Sequence, residues 1–278
     1  RKKLPKKHEN TRDENHGYFW AFSLQGLVTI FVAPPLIRKH FQSQKKEIQP
    51  LPLARLGLLS IAVLSICQAG VVSPIQFACG LCVAGIVMFL IFLKQDRNSR
   101  NRIFPKDILN PLTVSGSGLL MISSLFMATI SLTVYGPLLM YIIFGAAPLV
   151  AGYIIALESL AWTLTAIYTS GLGERIEQKL IRMGAVLVSV SLLGLIYAMP
   201  SGPLWVIALF SVIMGMGFGM SWSFVSKRII ANVPETERTQ ASASIPTFMR
   251  VAMALGSALS GIIANYSGFS EASSVAVA

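Results

Sequence analysis

Charge is what this chain has least of. Only 13% of its 278 residues are Asp, Glu, Lys or Arg, where a soluble domain carries about a quarter. Histidine and cysteine are scarcer still, three of each. His8, His16 and His40 all lie in polar segments. No cluster of His, Asp or Cys forms, which argues against an enzyme. Cys67, Cys79 and Cys82 fall inside apolar runs. The Cys79-x-x-Cys82 spacing suits a metal, but one pair without a second pair or a nearby His reads as small apolar helix residues. No cofactor or metal is expected. Strand-period alternation is missing, no soluble domain is visible, and no stretch has the three regions of a signal peptide.

What remains is mostly apolar. Hydrophobic residues make up 54% of the chain and its mean hydropathy is +0.64. A helix needs about 20 apolar residues to cross the hydrocarbon core. Eight runs qualify, at 18–36, 54–71, 75–93, 111–135, 147–170, 180–198, 203–225 and 241–265, punctuated at their ends by Pro34-Pro35, Pro52, Ser73-Pro74, Gly136-Pro137, Pro148, Pro200 and Pro203. Lipid offers the backbone no hydrogen-bond partners, so such runs must be helices. The expected fold class is an all-α polytopic membrane protein with about eight transmembrane helices.

The cations are distributed as membrane topology requires. Basic loops at 38–55, 94–106, 175–182 and 227–238 alternate with stretches free of Lys and Arg at 71–75, 136–147, 198–204 and beyond Arg250. Cytoplasmic loops retain Lys and Arg, so the basic loops are expected inside. The net charge of +11 is thereby explained without nucleic acid as a partner. One segment disagrees. Residues 1–17 carry Arg1, Lys2, Lys3, Lys6, Lys7 and Arg12, and the first run would link them to the basic loop at 38–55. The expected organisation is a polar segment 1–17, three helices with basic loops over 18–110, and a helical half over 111–278. The chain begins at Arg1 and ends in a mild apolar tail, 272–278, so a piece of something longer is expected.

Only two ionisable residues sit deep in apolar runs, Glu158 and Arg250. A charge at mid-bilayer costs roughly 2.5–3.5 kcal/mol or more, and such residues mark ion or substrate pathways. The competing reading is a structural ion pair between them. Trp162, Tyr153 and Trp222 flank polar positions and suit stacking on an organic substrate, or anchoring at an interface. Gly215 and Gly219 share one face of the seventh run, and Gly256 belongs to a small-residue face of the eighth. Such positions let helix backbones approach closely.

The loop Ser170-Gly-Leu-Gly-Glu-Arg-Ile-Glu-Gln-Lys179 resembles the cytoplasmic loop motif G-x-L-a-D-R-x-G-R-R of the major facilitator superfamily. Leu172, Arg175 and Lys179 match, and Glu174 stands for the acidic residue; Ser170, Glu177 and Gln178 depart. Tyr135-Gly-Pro-Leu-Leu-Met140 followed by Ala147-Pro-Leu-Val-Ala-Gly152 is similar to the outer turn one helix earlier. Phe19-Trp-Ala-Phe-Ser-Leu-Gln25 resembles the segment opening the sixth helix of the fourteen-helix drug:proton antiporters. The resemblance implies the register of family helices six through thirteen, with the first five and the last absent. It implies secondary transport, proton-coupled efflux of an organic small molecule, with the loop at 170–179 latching the cytoplasmic side through charged contacts. It also implies the lipid bilayer, protons and the N-terminal half of the same transporter as partners, in a bacterial inner membrane. The alternative is a non-transporting membrane scaffold or an inactive remnant.

Overall fold

The computed structural model describes residues 31, 52–72, 74–99, 101–106 and 108–267. Apart from residue 31, the segment 1–17, the run 18–36 and the loop up to residue 51 lie outside the described residues, as does the tail 272–278. The description that follows concerns the compact unit Leu51–Ala278.

Seven α-helices follow one another: α1 Leu53–Ala69, α2 Ile75–Arg97, α3 Val114–Phe144, α4 Pro148–Ser170, α5 Glu177–Ser201, α6 Leu204–Ala231 and α7 Arg238–Tyr266. Six of them, α2 to α7, are long and apolar enough to cross a membrane, and α1 is a shorter apolar helix. No strand occurs among the described residues. Leu164, Leu193 and Ile196 project outward, more than half exposed. Exposed apolar side chains in such number are costly in water and at home in hydrocarbon.

The apolar runs gave the helices, but their ends moved. The cation-free stretch 136–147, read from Gly136-Pro137 as a loop, is helical as far as Phe144, with Pro137 inside α3. Proline in a spanning helix is tolerated because neighbouring helices and local adjustment compensate the lost hydrogen bond. The chain turns at Gly145, whose φ of 61° is left-handed, as a helix terminator requires. Its N–H donates to the Tyr141 carbonyl, and the Ala146 N–H donates to that of Met140. At the other end, Thr113 caps α3 by accepting from the Gly116 N–H at 3.1 Å. α5 begins at Glu177 rather than at residue 180, and α7 begins at Arg238 rather than at residue 241.

Packing divides into two groups. α6 lies between α4 and α5, while α7 packs on α3, α1 and α2. α3 joins the groups by touching α4, α5 and α6 as well as α7. The α1–α2 hairpin closes where Gly85 faces the Ala62 carbonyl and the Ile66 side chain. α7 crosses α3 at Gly256, where a Cβ would overlap the Met127 carbonyl oxygen.

One end of the bundle is tied by ions. Asp96, at the end of α2, is 2% exposed. Its carboxylate accepts from Arg55 of α1 and from the Ile103 and Phe104 N–H groups, both at 2.9 Å. The following loop is held to the start of α7 by Arg102 pairing with Glu237, the residue just before that helix, at 3.3 Å and by Gln240 of α7 donating to the Arg102 carbonyl at 2.9 Å. Beneath it, Phe104 meets Phe248 and Phe92, with ring centres 5.1 and 5.6 Å apart.

Candidate functional site

Glu158 is the eleventh residue of α4, half-buried. One turn further on the same face comes Trp162. Both lie where α4 crosses α6, and the crossing is tight because α6 presents glycine there. A Cβ on Gly215 would overlap the Glu158 carbonyl oxygen, and one on Gly219 would stand 2.6 Å from the Trp162 carbonyl. This close approach sets Trp162 against Phe218 of α6, stacked with centres 5.0 Å apart. Phe126 of α3 adds a third ring at 5.2 Å from Phe218, and Trp222 a fourth, edge-on at 6.0 Å from Trp162. Three helices thus contribute one aromatic cluster beside Glu158.

Among the described residues no side chain hydrogen-bonds to or pairs with Glu158. The ion pair with Arg250 is not formed, and α4 and α7 do not pack on each other. Arg250 is exposed on α7, two residues beyond the Phe248 that rests on Phe104 of the α2–α3 loop. Tyr153 is exposed on α4 and does not join the aromatic cluster. Of the five pathway residues read from the sequence, the structure therefore brings together Glu158, Trp162 and Trp222. Phe126 and Phe218 were missed, because an aromatic in an apolar run carries no signal of its own.

The loop after α4 forms a short 3-10 turn, Glu174–Ile176. Leu172 is half-buried, while Arg175 and Lys179 are exposed and have no ion-pair partner among the described residues. Among the described residues the charged contact of this loop is made by Glu177, buried at the start of α5. It accepts from Lys227 at 3.1 Å and Arg228 at 3.3 Å, both at the end of α6. Glu177 had counted only as a departure from a glycine. An acid set among the cations of such a loop is the signal that would have found it, and Asp96 shares that signature.

Three cavities stand out. The roomiest, about 610 Å³, is an apolar groove between α3, α5 and α7 that includes Tyr135, Ser131 and Ser260. A second, of about 410 Å³, lies at the end of α2, and a third, of about 260 Å³, between the α1–α2 turn and α7. None of them is lined by Glu158, Arg250, Trp162 or Trp222. Among the described residues no group of His, Cys, Asp and Glu is arranged to hold a metal ion.

These helices define a multi-pass, all-α membrane protein. The family profile of the Major Facilitator Superfamily matches residues 118–277, more than half of the chain, and the chain belongs to that superfamily. A probable multidrug-efflux transporter of Mycobacterium tuberculosis, found in two strains, is 22% identical over 264 residues, covering 88% of this chain. The chain spans about half the length of these curated relatives, 55% of each. No solved structure matches it.

Proposed function

We propose that this chain is part of a secondary transporter that expels an organic small molecule in exchange for protons, in the manner of the fourteen-helix antiporters and in a bacterial inner membrane. The observation that carries the reading is Glu158. It lies midway along a spanning helix, half-buried, one turn before Trp162 of a four-ring aromatic cluster and, among the described residues, without a structural partner. An idle carboxyl at that depth is costly, so a role in a polar pathway is the economical explanation. Rings from α3, α4 and α6 offer flat apolar surface to an organic substrate. Superfamily membership and the efflux transporters among the relatives support the same class.

In this reading Glu158 exchanges a proton, Trp162 and Trp222 bound the substrate, and Arg250 and Tyr153 face the pathway from their own helices. The loop residues Leu172, Glu174, Arg175 and Lys179 belong to the latch on the cytoplasmic side. Efflux of a fluorescent lipophilic cation from cells expressing the protein is the test. Glu158→Gln should abolish efflux at unchanged membrane abundance and unchanged melting temperature. Efflux at the native rate by this variant would reject the reading.

A further inference from the structure

The cavity at the end of α2 has the composition of an anion site. Lys94 and Arg97 come from the last turn of α2 and Lys106 from the loop beyond. All three are exposed, and among the described residues none has an ion-pair or hydrogen-bond partner. Among the described residues of the lining the one acid is Asp96, already engaged by Arg55 and two backbone N–H groups. The floor is apolar, formed by Leu93, Phe104, Ile108 and Leu109. At about 410 Å³ the cavity accommodates a phosphodiester with its glycerol.

The helix leading to this cavity supplies a second observation. Val83, Val87 and Leu90 are 60%, 47% and 58% exposed. Together with Lys94 and Arg97 they recur at spacings of three and four, and so form one stripe along α2. An exposed apolar track on a spanning helix therefore ends beside a cavity, at cations without a partner among the described residues. A free phosphate would use only the cavity; a phospholipid would use the track as well.

We propose that this is a binding site for an anionic phospholipid, with its acyl chain along Val83, Val87 and Leu90 and its phosphate between Lys94, Arg97 and Lys106. Basic pockets beside spanning helices hold such head groups through charge, while the apolar face excludes a soluble anion from most of the binding energy. The proposal rests on the membrane-spanning fold and not on the transport reading.

The test is the melting temperature of the purified protein in neutral-detergent micelles doped with phosphatidylglycerol, phosphatidylcholine or inorganic phosphate. Phosphatidylglycerol should raise it by roughly 4 °C or more at saturation. Phosphatidylcholine and inorganic phosphate should not. Lys94→Gln/Arg97→Gln/Lys106→Gln should lose the increment, and Lys94→Arg/Lys106→Arg should keep it. A second triple variant, Arg175→Gln/Lys179→Gln/Arg182→Gln, removes the same charge elsewhere and should also keep it. An equal increment in both triple variants would overturn the site, as would an equal response to inorganic phosphate or phosphatidylcholine. Loss of the increment in the Lys-to-Arg variant would likewise reject charge as its basis.

Discussion

Gly215 of α6 lies against the main chain of Glu158 on α4, so close that a Cβ would overlap the Glu158 carbonyl oxygen. The contact fixes the height and rotation at which the carboxyl bearer meets the aromatic cluster, because the obstacle is backbone and cannot rotate away. Gly215→Ala should therefore lower the melting temperature in detergent, by an amount corresponding to about 1–3 kcal/mol of overpacking. Gly152→Ala on α4 meets nothing within 4 Å and should be neutral or slightly stabilising. Equal effects from the two substitutions would show that the α4–α6 crossing is looser than described.

Asp96 holds Arg55 and the loop after α2 at once. Asp96→Ala strands a largely buried guanidinium, 15% exposed, and leaves two N–H groups without their acceptor. Removing one partner of a buried pair costs about 3–5 kcal/mol. The variant should melt earlier and show faster amide exchange at Ile103 and Phe104. Unchanged exchange there would separate the loop from the carboxylate.

Among the described residues Glu177, and not Arg175, makes a charged contact from the loop between α4 and α5 to the end of α6. Glu177→Gln should destabilise by about 1–2 kcal/mol, less than a fully enclosed pair because Lys227 remains 56% exposed. Arg175→Ala should leave stability unchanged. If it nevertheless depresses transport in the membrane, the latch acts between conformations and not within this one.

Glu158 and Arg250 form no pair, so their single substitutions should not rescue each other. Glu158→Gln and Arg250→Met should each leave stability within about 0.5 kcal/mol of native, read from melting in detergent. The double variant should equal the sum of the two. A double variant more stable than the sum would reveal a pair in another state of the protein.

Orientation follows from the basic loops. In a background with Cys67, Cys79 and Cys82 replaced, single cysteines at Asn98 and Asn232 should resist a membrane-impermeant maleimide in intact cells, and one at Ala147 should react. The reverse pattern would invert the topology.

Much of the fold was legible in the sequence because bilayer thickness translates directly into run length. The six long helices and the shorter α1 coincide with apolar runs to within a few residues, except where Pro137 was taken as a stop and where α6 runs past residue 225 to Ala231. Glycine spacing likewise indicated a close helix contact at Gly215 and Gly219, but not which helix would fill it. The candidate site was legible only in part: Glu158 announces itself as a charge among apolar residues, whereas Phe126 and Phe218 gain meaning only from the rings around them.

By itself, then, the sequence determined that the chain crosses a membrane repeatedly as helices and which ends carry the cations, since both depend on local composition and on a solvent that will not bond to backbone. Tertiary structure alone decided that Trp162, one turn from Glu158 on α4, meets Phe218 and Trp222 of α6, while Arg250 lies on a helix that packs on α3, α1 and α2. It also decided that Asp96 binds Arg55, 41 residues away, and that Glu177 binds Lys227, 50 residues away. These partners are chosen by the angle and rotation at which helices cross, and that choice is set by where glycine lets two backbones meet.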